Sequence, residues 1–303
     1  LSCPSGRKVS IITYDFDVIL YDLLSSEKLT QRNNLIFQDG TVDNPFIVKE
    51  HKYYGDIDQS SIYQQTLKKM AINQQTEILC PIGLYIDETN LDSFSKLSLH
   101  PVMMTLFIFN RKVRNSSSAW RCLGYIPNFA EQFGSKKFSP AEKISDYHFC
   151  LRYIMDSIEN LLSSRLSLTW DFTFDGNNRV YRRNLRFYLS HLAGDAKGND
   201  IWCGRLSNRT KTICLARDCD VTIDTADDPH VKCNFHSMKT LENKTNDELH
   251  KLSFRRIIPY NAFSNMFFGS NPYGINGATP ADPLHQINLG IVTRLPEIFF
   301  TRL

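Results

Sequence analysis

One hydrophobic segment of the chain, from Ile78 to Ile86, contains no charged residue and is followed at once by Asp87 and Glu88. An apolar run of this length is typical of a buried central strand, because a membrane-spanning helix needs roughly 20 apolar residues. A carboxylate that follows such a strand lies at the rim of the sheet, where ligand and metal sites are commonly built. The alternative is that Asp87 only begins a turn.

Two further apolar segments, residues 101–109 and 120–126, follow with short connections, and each predicts a strand. Three successive strands with short connections favour an antiparallel meander. A helix is predicted next, because Ser139 is a typical N-cap and Glu142 can complete a capping box. Apolar residues at spacings of three and four extend this helix to about residue 164.

The chain then returns to strands. Residues 168–174 and the residues from Val180 onward predict a hairpin, and residues 185–192 predict a further apolar strand that ends beside Asp195. Three strands, a helix and a further strand, with an aspartate after the first and the last strand, are in the order of an RNase H-like core. Two neighbouring carboxylates repel each other unless a cation such as Mg²⁺ lies between them, and Mg²⁺ also binds substrate phosphate.

The chain divides into three parts on this interpretation. Residues 1–76 contain two helical patterns, at 11–24 and 60–70, and are interpreted as an N-terminal helical accessory segment. Residues 77–200 form the first part of the RNase H-like α/β core, a mixed sheet flanked by helices. Residues 201–303 form an insertion that carries Cys and His residues. Since the chain begins without Met and ends within an apolar pattern, we expect it to be an excerpt of a longer polypeptide that stops before the core is complete.

Eight cysteines in 303 residues are too sparse for a disulfide scaffold. Cys80, Cys122 and Cys150 lie in apolar runs and are predicted to be buried in the core. A second group, within about one zinc-site length of polar chain, comprises Cys214, Cys219, Cys233 and His236. Zinc takes four such ligands, and a polar segment has little apolar surface with which to fold otherwise. Cys203 and His230 are competing ligands, and free thiols in a polar loop are the alternative.

The charge balance is mildly basic, with a net charge of +3. This balance is compatible with a polyanionic partner but does not require one. Hydrophobic residues make up 42% of the chain, which excludes wholesale disorder, and no apolar run is long enough to suggest a membrane partner. The candidates for contact with DNA phosphates are Arg111, Lys112, Arg114, Arg182 and Arg183. For each of them alone, a solvated surface charge is the favoured interpretation.

Four blocks of the sequence resemble CACTA-type cut-and-paste transposases, and in particular their Plavaka-like group. These blocks are residues 84–91, 99–102, 110–114 and 123–127. In the resemblance, Asp87 matches the first catalytic aspartate and Asp195 the second, and a later block, residues 274–285, carries the D-x-x-H motif as Asp282 and His285. The resemblance also implies a third acid, a glutamate downstream of His285, which we expect beyond the end of this chain.

The resemblance implies a nuclear DNA transposase that cuts and joins phosphodiesters with two divalent ions, Mg²⁺ or Mn²⁺, bound by its acidic residues. Its partners would be the transposon ends and the target DNA. The sequence leaves the oligomeric state open, a homo-oligomer included. One alternative is an inactive or domesticated relative that binds DNA without cutting it. Another is an RNase H-like nuclease unrelated to transposition, although such a nuclease needs neither the D-x-x-H block nor the insertion.

Overall fold

The structure, a computed structural model, is a mixed β-sheet with helices packed against it, so the predicted α/β class is confirmed. It describes residues 1–51, 55–90, 98–127, 138–163, 167–174, 177–194, 196–206, 241–252 and 254–279. None of the helices within these ranges combines the length and the apolarity that crossing a membrane requires.

The N-terminal segment holds the short strand β1 (Ile12–Thr13) and the helices α1 (Phe16–Ser25), α2 (Glu27–Thr30) and α3 (Ser61–Lys69). The helix predicted over residues 11–24 therefore begins later than expected. Asp15 is its N-cap and accepts hydrogen bonds from two amides of the first turn, which fixes the start at Phe16. The helix predicted at residues 60–70 is confirmed as α3, with Ser60 as its N-cap.

The predicted meander is also confirmed. Its three strands are β2 (Glu77–Ile86), β4 (Ser98–Leu106) and β5 (Arg121–Pro127). A short strand, β3 (Thr89–Asn90), lies between β2 and β4 in the chain, and a short helix, α4 (Arg111–Arg114), lies between β4 and β5. β4 pairs antiparallel with β2 on one side and with β5 on the other. The basic segment between β4 and β5 contains the short helix α4.

The next elements are α5 (Pro140–Ser163), β6 (Ser167–Phe174) and β7 (Asn177–Ala193). The capping box before α5 is present, because the Glu142 amide donates to Ser139 Oγ at 3.2 Å and the Ser139 amide donates to Glu142 Oε2 at 2.7 Å. The hairpin is confirmed, but the separate strand predicted at residues 185–192 is the second half of β7. β7 pairs with β6 over most of its length and with β2 from Asn184 onward, so the chain never leaves the sheet.

The strand order across the sheet is β1-β5-β4-β2-β7-β6, with β3 paired to β4. β2 and β7 are parallel neighbours near the middle of the sheet, and the other described pairs are antiparallel. The parallel register runs to the pair Tyr85 and Ala193. The carboxyl ends of β2 and β7 therefore reach the same edge of the sheet.

Helix α5 covers one face of the sheet, and its residue Ile154 packs over Gly124 of β5. The N-terminal segment joins the same hydrophobic core, since Phe46 contacts Phe172 of β6 and the Tyr63 hydroxyl donates to the Leu79 carbonyl at 3.3 Å. The remaining α-helices of the described residues are α6 (Ala196–Cys203), α7 (Asn246–Lys251) and α8 (Ile275–Ala278). Of the three cysteines predicted to be in the core, Cys80 and Cys150 are fully buried.

Candidate active site

The edge at which β2 and β7 end side by side is the candidate active site. Asp87 follows directly after β2, two residues beyond Tyr85. Asp195 stands two positions after Ala193, the last residue of β7, and lies outside the described residues. The structure thus brings together the two strands that lead to Asp87 and Asp195, while the position of the second carboxylate stays a prediction.

Asp87 is half-buried, and both of its carboxylate oxygens accept hydrogen bonds. The Tyr85 hydroxyl donates to Oδ2 at 2.9 Å, and the Glu88 amide donates to Oδ1 at 2.8 Å. A carboxylate has about four acceptor positions, so two such bonds orient the group and leave lone pairs available for a ligand. The geometry is that of a carboxylate fixed in direction but open to an ion or a donor group.

Gly194 has no side chain, which allows Trp202 and the end of β2 to lie close to the end of β7. A Cβ atom at this position would lie 2.1 Å from Trp202 Cη2 and 2.8 Å from the Ile86 carbonyl oxygen, so a larger residue does not fit without movement. Trp202 belongs to α6 and is 1% exposed. Its indole N–H donates to the Tyr147 hydroxyl of α5 at 3.3 Å. Helices α5 and α6 therefore support the edge on which Asp87 lies.

Tyr147 is a second buried group near Asp87. Burial raises the pKa of Tyr147, the hydrogen bond from Trp202 opposes this rise, and the negative charge of Asp87 adds to it. The Tyr147 ring also meets His100 of β4 edge-on, with 5.6 Å between the ring centroids. Tyr147 thus stays a neutral packing group that links α5 to the sheet.

Three residues of this edge were missed by sequence reasoning: Tyr85, Gly194 and Trp202. Strand periodicity offered a signal for Tyr85, because residues two apart on a strand point to the same face. The position of Gly194 directly before Asp195 was a weaker signal, since a glycine often marks a close approach of backbone or side chains. No local signal identified Trp202, which meets this edge only through the tertiary fold.

Within the described ranges, no group of three or more His, Cys, Asp or Glu side chains is placed to hold a metal ion. The other carboxylate beside Asp87 is Glu88, which is exposed and accepts a hydrogen bond from Ser98 Oγ at 2.7 Å. Asp87 therefore needs at least one further ligand from elsewhere in the chain to form a metal site.

Several predicted site residues lie outside the described part of the chain. They are Asp195, the proposed zinc ligands Cys214, Cys219, Cys233 and His236, and the motif residues Asp282 and His285. Of the competing zinc ligands, Cys203 is described and is 2% exposed. Its thiol lies 3.7 Å from the Thr279 hydroxyl, and burial raises its pKa. Both features are those of a thiol buried in the protein interior.

The arginines and the lysine proposed to contact DNA have different surroundings. Arg111 and Lys112 are exposed on α4. Arg114 pairs with Asp56 at 2.5 Å, and both side chains are almost buried. Arg182 is exposed and makes two 2.8 Å hydrogen bonds to one carboxylate, that of Asp171.

Arg183 is the most enclosed of the five. It is 9% exposed, donates to Asn44 Oδ1 at 3.1 Å and lies over the Phe46 ring. Burial lowers its pKa. The side chains of Arg114 and Arg183 are thus used for internal packing, whereas those of Arg111 and Lys112 face solvent. DNA contact by any of them stays a prediction.

His148 connects α5 by hydrogen bonds to α6 and to the segment that contains Ala262. Its Nε2 donates to the Ile201 carbonyl at 3.0 Å, and its Nδ1 accepts from the Ala262 amide at 3.2 Å, which together require the neutral ring. Burial lowers the pKa of His148 to about 4, the bond to Ile201 opposes this shift, and the charge of Arg152 adds to it. A second histidine, His191, also has a pKa lowered to about 4, by burial and by the charge of Arg114.

We therefore expect the free energy of unfolding to decrease as pH falls from about 6.5 to about 4. Over this window an unfolded histidine binds a proton that the folded, neutral ring does not, so stability is complete above the unfolded pKa and is lost towards the folded one. A shift of this size for His148 corresponds to about 3 kcal/mol. Urea denaturation at a series of pH values measures the slope.

His148→Gln is the test variant, because glutamine retains a donor and an acceptor but does not titrate in this range. The slope of unfolding free energy against pH reports how many more protons the unfolded state binds than the folded state. Whatever its stability at pH 7, the variant is expected to show a slope smaller by about one proton. His191→Gln is the parallel variant, and the double variant should lose both contributions. Identical slopes in wild type and His148→Gln would contradict the neutral, buried assignment.

Comparisons with known proteins bear on the whole chain. The model of one family, described as Plavaka transposase, matches residues 7–294. A search of curated protein sequences finds no match. The family match spans β1 to α8 and includes Asp87, Gly194 and Trp202.

Proposed function

The chain belongs to the Plavaka transposase family, and we propose on this premise that it supplies the catalytic centre of a cut-and-paste DNA transposase. The observation that carries the proposal is the position of Asp87 at the end of β2, beside the parallel strand that leads to Asp195. Placement of the family within the CACTA superfamily is part of the same proposal.

We propose further that the sheet is an RNase H-like core. The support is topological: the antiparallel strands β2, β4 and β5 are followed by α5, and the chain then returns as β7, parallel to β2 and next to it. This arrangement puts the ends of two parallel strands in the middle of the sheet, which is where shared carboxylate sites are found. Residues 201–303 would interrupt or extend this core.

The donor groups at this edge fit a hard divalent cation, Mg²⁺ or Mn²⁺. Asp87 offers carboxylate oxygens with free lone pairs, and Asp195 would be the second ligand. When bound, such ions supply an activated attacking oxygen and stabilise the leaving oxygen of a phosphodiester. The part played by the protein is orientation: the Tyr85 hydroxyl and the Glu88 amide fix the direction of the Asp87 carboxylate before any ligand arrives.

The remaining expectations join this proposal. The chain would act in the nucleus as a homo-oligomer bound to DNA, and its exposed cations Arg111 and Lys112 would contact phosphates. The segment that follows β7 would hold zinc. The residues proposed for that site are Cys214, Cys219, Cys233 and His236.

A nicking assay with supercoiled plasmid tests the proposal. The full-length protein, with its third acid, is expected to convert the plasmid to its open-circular form with Mg²⁺ or Mn²⁺, and to lose this activity when EDTA removes the metal. A chain that shifts DNA in a gel but nicks it with neither metal would support the alternative, an inactive DNA-binding relative. Nicking that persists in EDTA would contradict metal-dependent chemistry.

A further inference from the structure

The face of the sheet opposite α5 carries two partly exposed aromatic rings beside Asp87. Tyr85 is 38% exposed, and its ring meets Trp120 edge-on with 6.3 Å between the centroids. Side chains alternate along a strand, and Ile154 of α5 packs over Gly124 on the face that also carries Ile86. Tyr85 therefore lies on the face away from α5. Its hydroxyl donates to Asp87, so these rings adjoin the candidate active site.

The sheet face next to Tyr85 is covered by the Phe107 ring and the side chains packed against that ring. The Phe107 ring occupies the space over Gly83, where a Cβ atom would lie 1.9 Å from Phe107 Cε2. The Phe107 ring stacks on His191 at 5.2 Å, and the Arg114 guanidinium lies 4.6 Å from its centroid. Arg114 also pairs with Asp56, so the group of Phe107, His191 and Arg114 is connected to the N-terminal segment.

Positive charge lies next to the rings. The Trp120 indole N–H donates to the carbonyl of Arg114, the last residue of α4, at 2.7 Å, which joins the ring to this helix. Arg111 and Lys112 on the same helix are exposed. We call Tyr85, Trp120, Arg111 and Lys112 the aromatic platform.

We propose that the aromatic platform binds unpaired nucleotides of a DNA end, with a base stacked on Tyr85 or Trp120 and phosphates bound by Arg111 and Lys112. The inference rests on the proposed function, because it takes DNA as the substrate. Aromatic rings beside exposed cations are the chemistry of single-stranded nucleic-acid sites, since bases offer π-faces and the backbone offers negative charge. In an intact duplex the base faces are already stacked, so the platform favours a frayed or overhanging end over a blunt one.

Fluorescence anisotropy with two DNA probes tests the inference. One probe is a duplex with a single-stranded overhang, and the other is a blunt duplex with the same number of phosphates. The wild-type chain is expected to bind the overhang probe more tightly by on the order of 10-fold, and Trp120→Ala is expected to remove this preference. Tyr85→Ala is the second variant, which covers the case in which loss of the Trp120 hydrogen bond disturbs folding.

Two matched variants serve as controls. Tyr85→Phe keeps the ring but not the hydroxyl, so it should retain the overhang preference. Tyr153→Ala removes an exposed aromatic ring from α5, the helix on the opposite face of the sheet, and should also retain it. Arg111→Ala should weaken the binding of both probes to the same extent and reduce the salt dependence of binding.

The outcomes separate this inference from the proposed function. A chain that binds both probes equally, or whose overhang preference survives both Trp120→Ala and Tyr85→Ala, overturns the platform but leaves the transposase proposal intact. A chain that binds neither probe contradicts both. Asp87→Asn should keep the overhang preference, because stacking does not require the metal.

Discussion

Replacing Asp87 by Asn is expected to reduce metal-dependent plasmid nicking by about 1,000-fold or more while the fold stays intact. An amide has no charge with which to hold a divalent ion, and loss of one metal ligand from a phosphodiester-cleaving centre removes several kcal/mol of transition-state stabilisation. Asparagine has the size of aspartate and can still accept the hydrogen bond from Tyr85. Nicking rates and urea denaturation curves for the two proteins measure the two effects separately.

Asp43→Asn is the matched control. Asp43 is also an aspartate, its side chain is 91% exposed, and it pairs only at the surface with Arg179 in the described structure. Its replacement should leave the nicking rate at the wild-type value. If Asp87→Asn nicked DNA as fast as the wild type, Asp87 would have no part in the chemistry.

Gly194→Ala is expected to lower the free energy of unfolding by about 1–3 kcal/mol. The added methyl group would lie 2.1 Å from Trp202 Cη2 and 2.8 Å from the Ile86 carbonyl oxygen, so either the indole or the strand ends must move. Because the Trp202 side chain is 1% exposed and hydrogen-bonded to Tyr147 of α5, movement there is costly. Urea denaturation measures the change.

A double-mutant cycle identifies the cause. Trp202→Phe removes the outer ring atoms that the Gly194→Ala methyl group would meet, so the alanine should cost about 1 kcal/mol less in that background. Gly55→Ala is the control glycine, because the nearest atom to its added methyl group is Gln59 Cγ at 3.7 Å, an ordinary contact distance. If Gly194→Ala lowered the free energy of unfolding equally in both backgrounds, a clash with Trp202 would not be the cause.

Elements with strong local signals were predictable from the sequence. The uncharged run before Asp87 became β2, and the Ser139 capping box marked the start of α5. The errors occurred where tertiary pairing determines structure. β1 forms because residues 12–13 pair with β5, which moves the start of α1, and β7 is one long strand because β2 and β6 hold it from both sides.

The candidate site divides in the same way. Asp87 could be found because a carboxylate directly after a buried strand is a local pattern. Trp202 could not, because it reaches the edge only through the packing of α6 against α5. The use of Arg114 and Arg183 in internal packing was equally hidden, since their partners Asp56 and Asn44 are far away in the sequence.

We propose that Asp87 and Asp195 share divalent ions at the ends of β2 and β7. The most direct measurement is a crystal structure of the chain grown with Mn²⁺, with the ion located by its anomalous scattering. We predict an anomalous peak at the edge of the sheet, with oxygens of both carboxylates about 2.2 Å from it. Carboxylates more than about 10 Å apart with no peak between them would contradict the account, because paired catalytic ions lie only about 4 Å from each other.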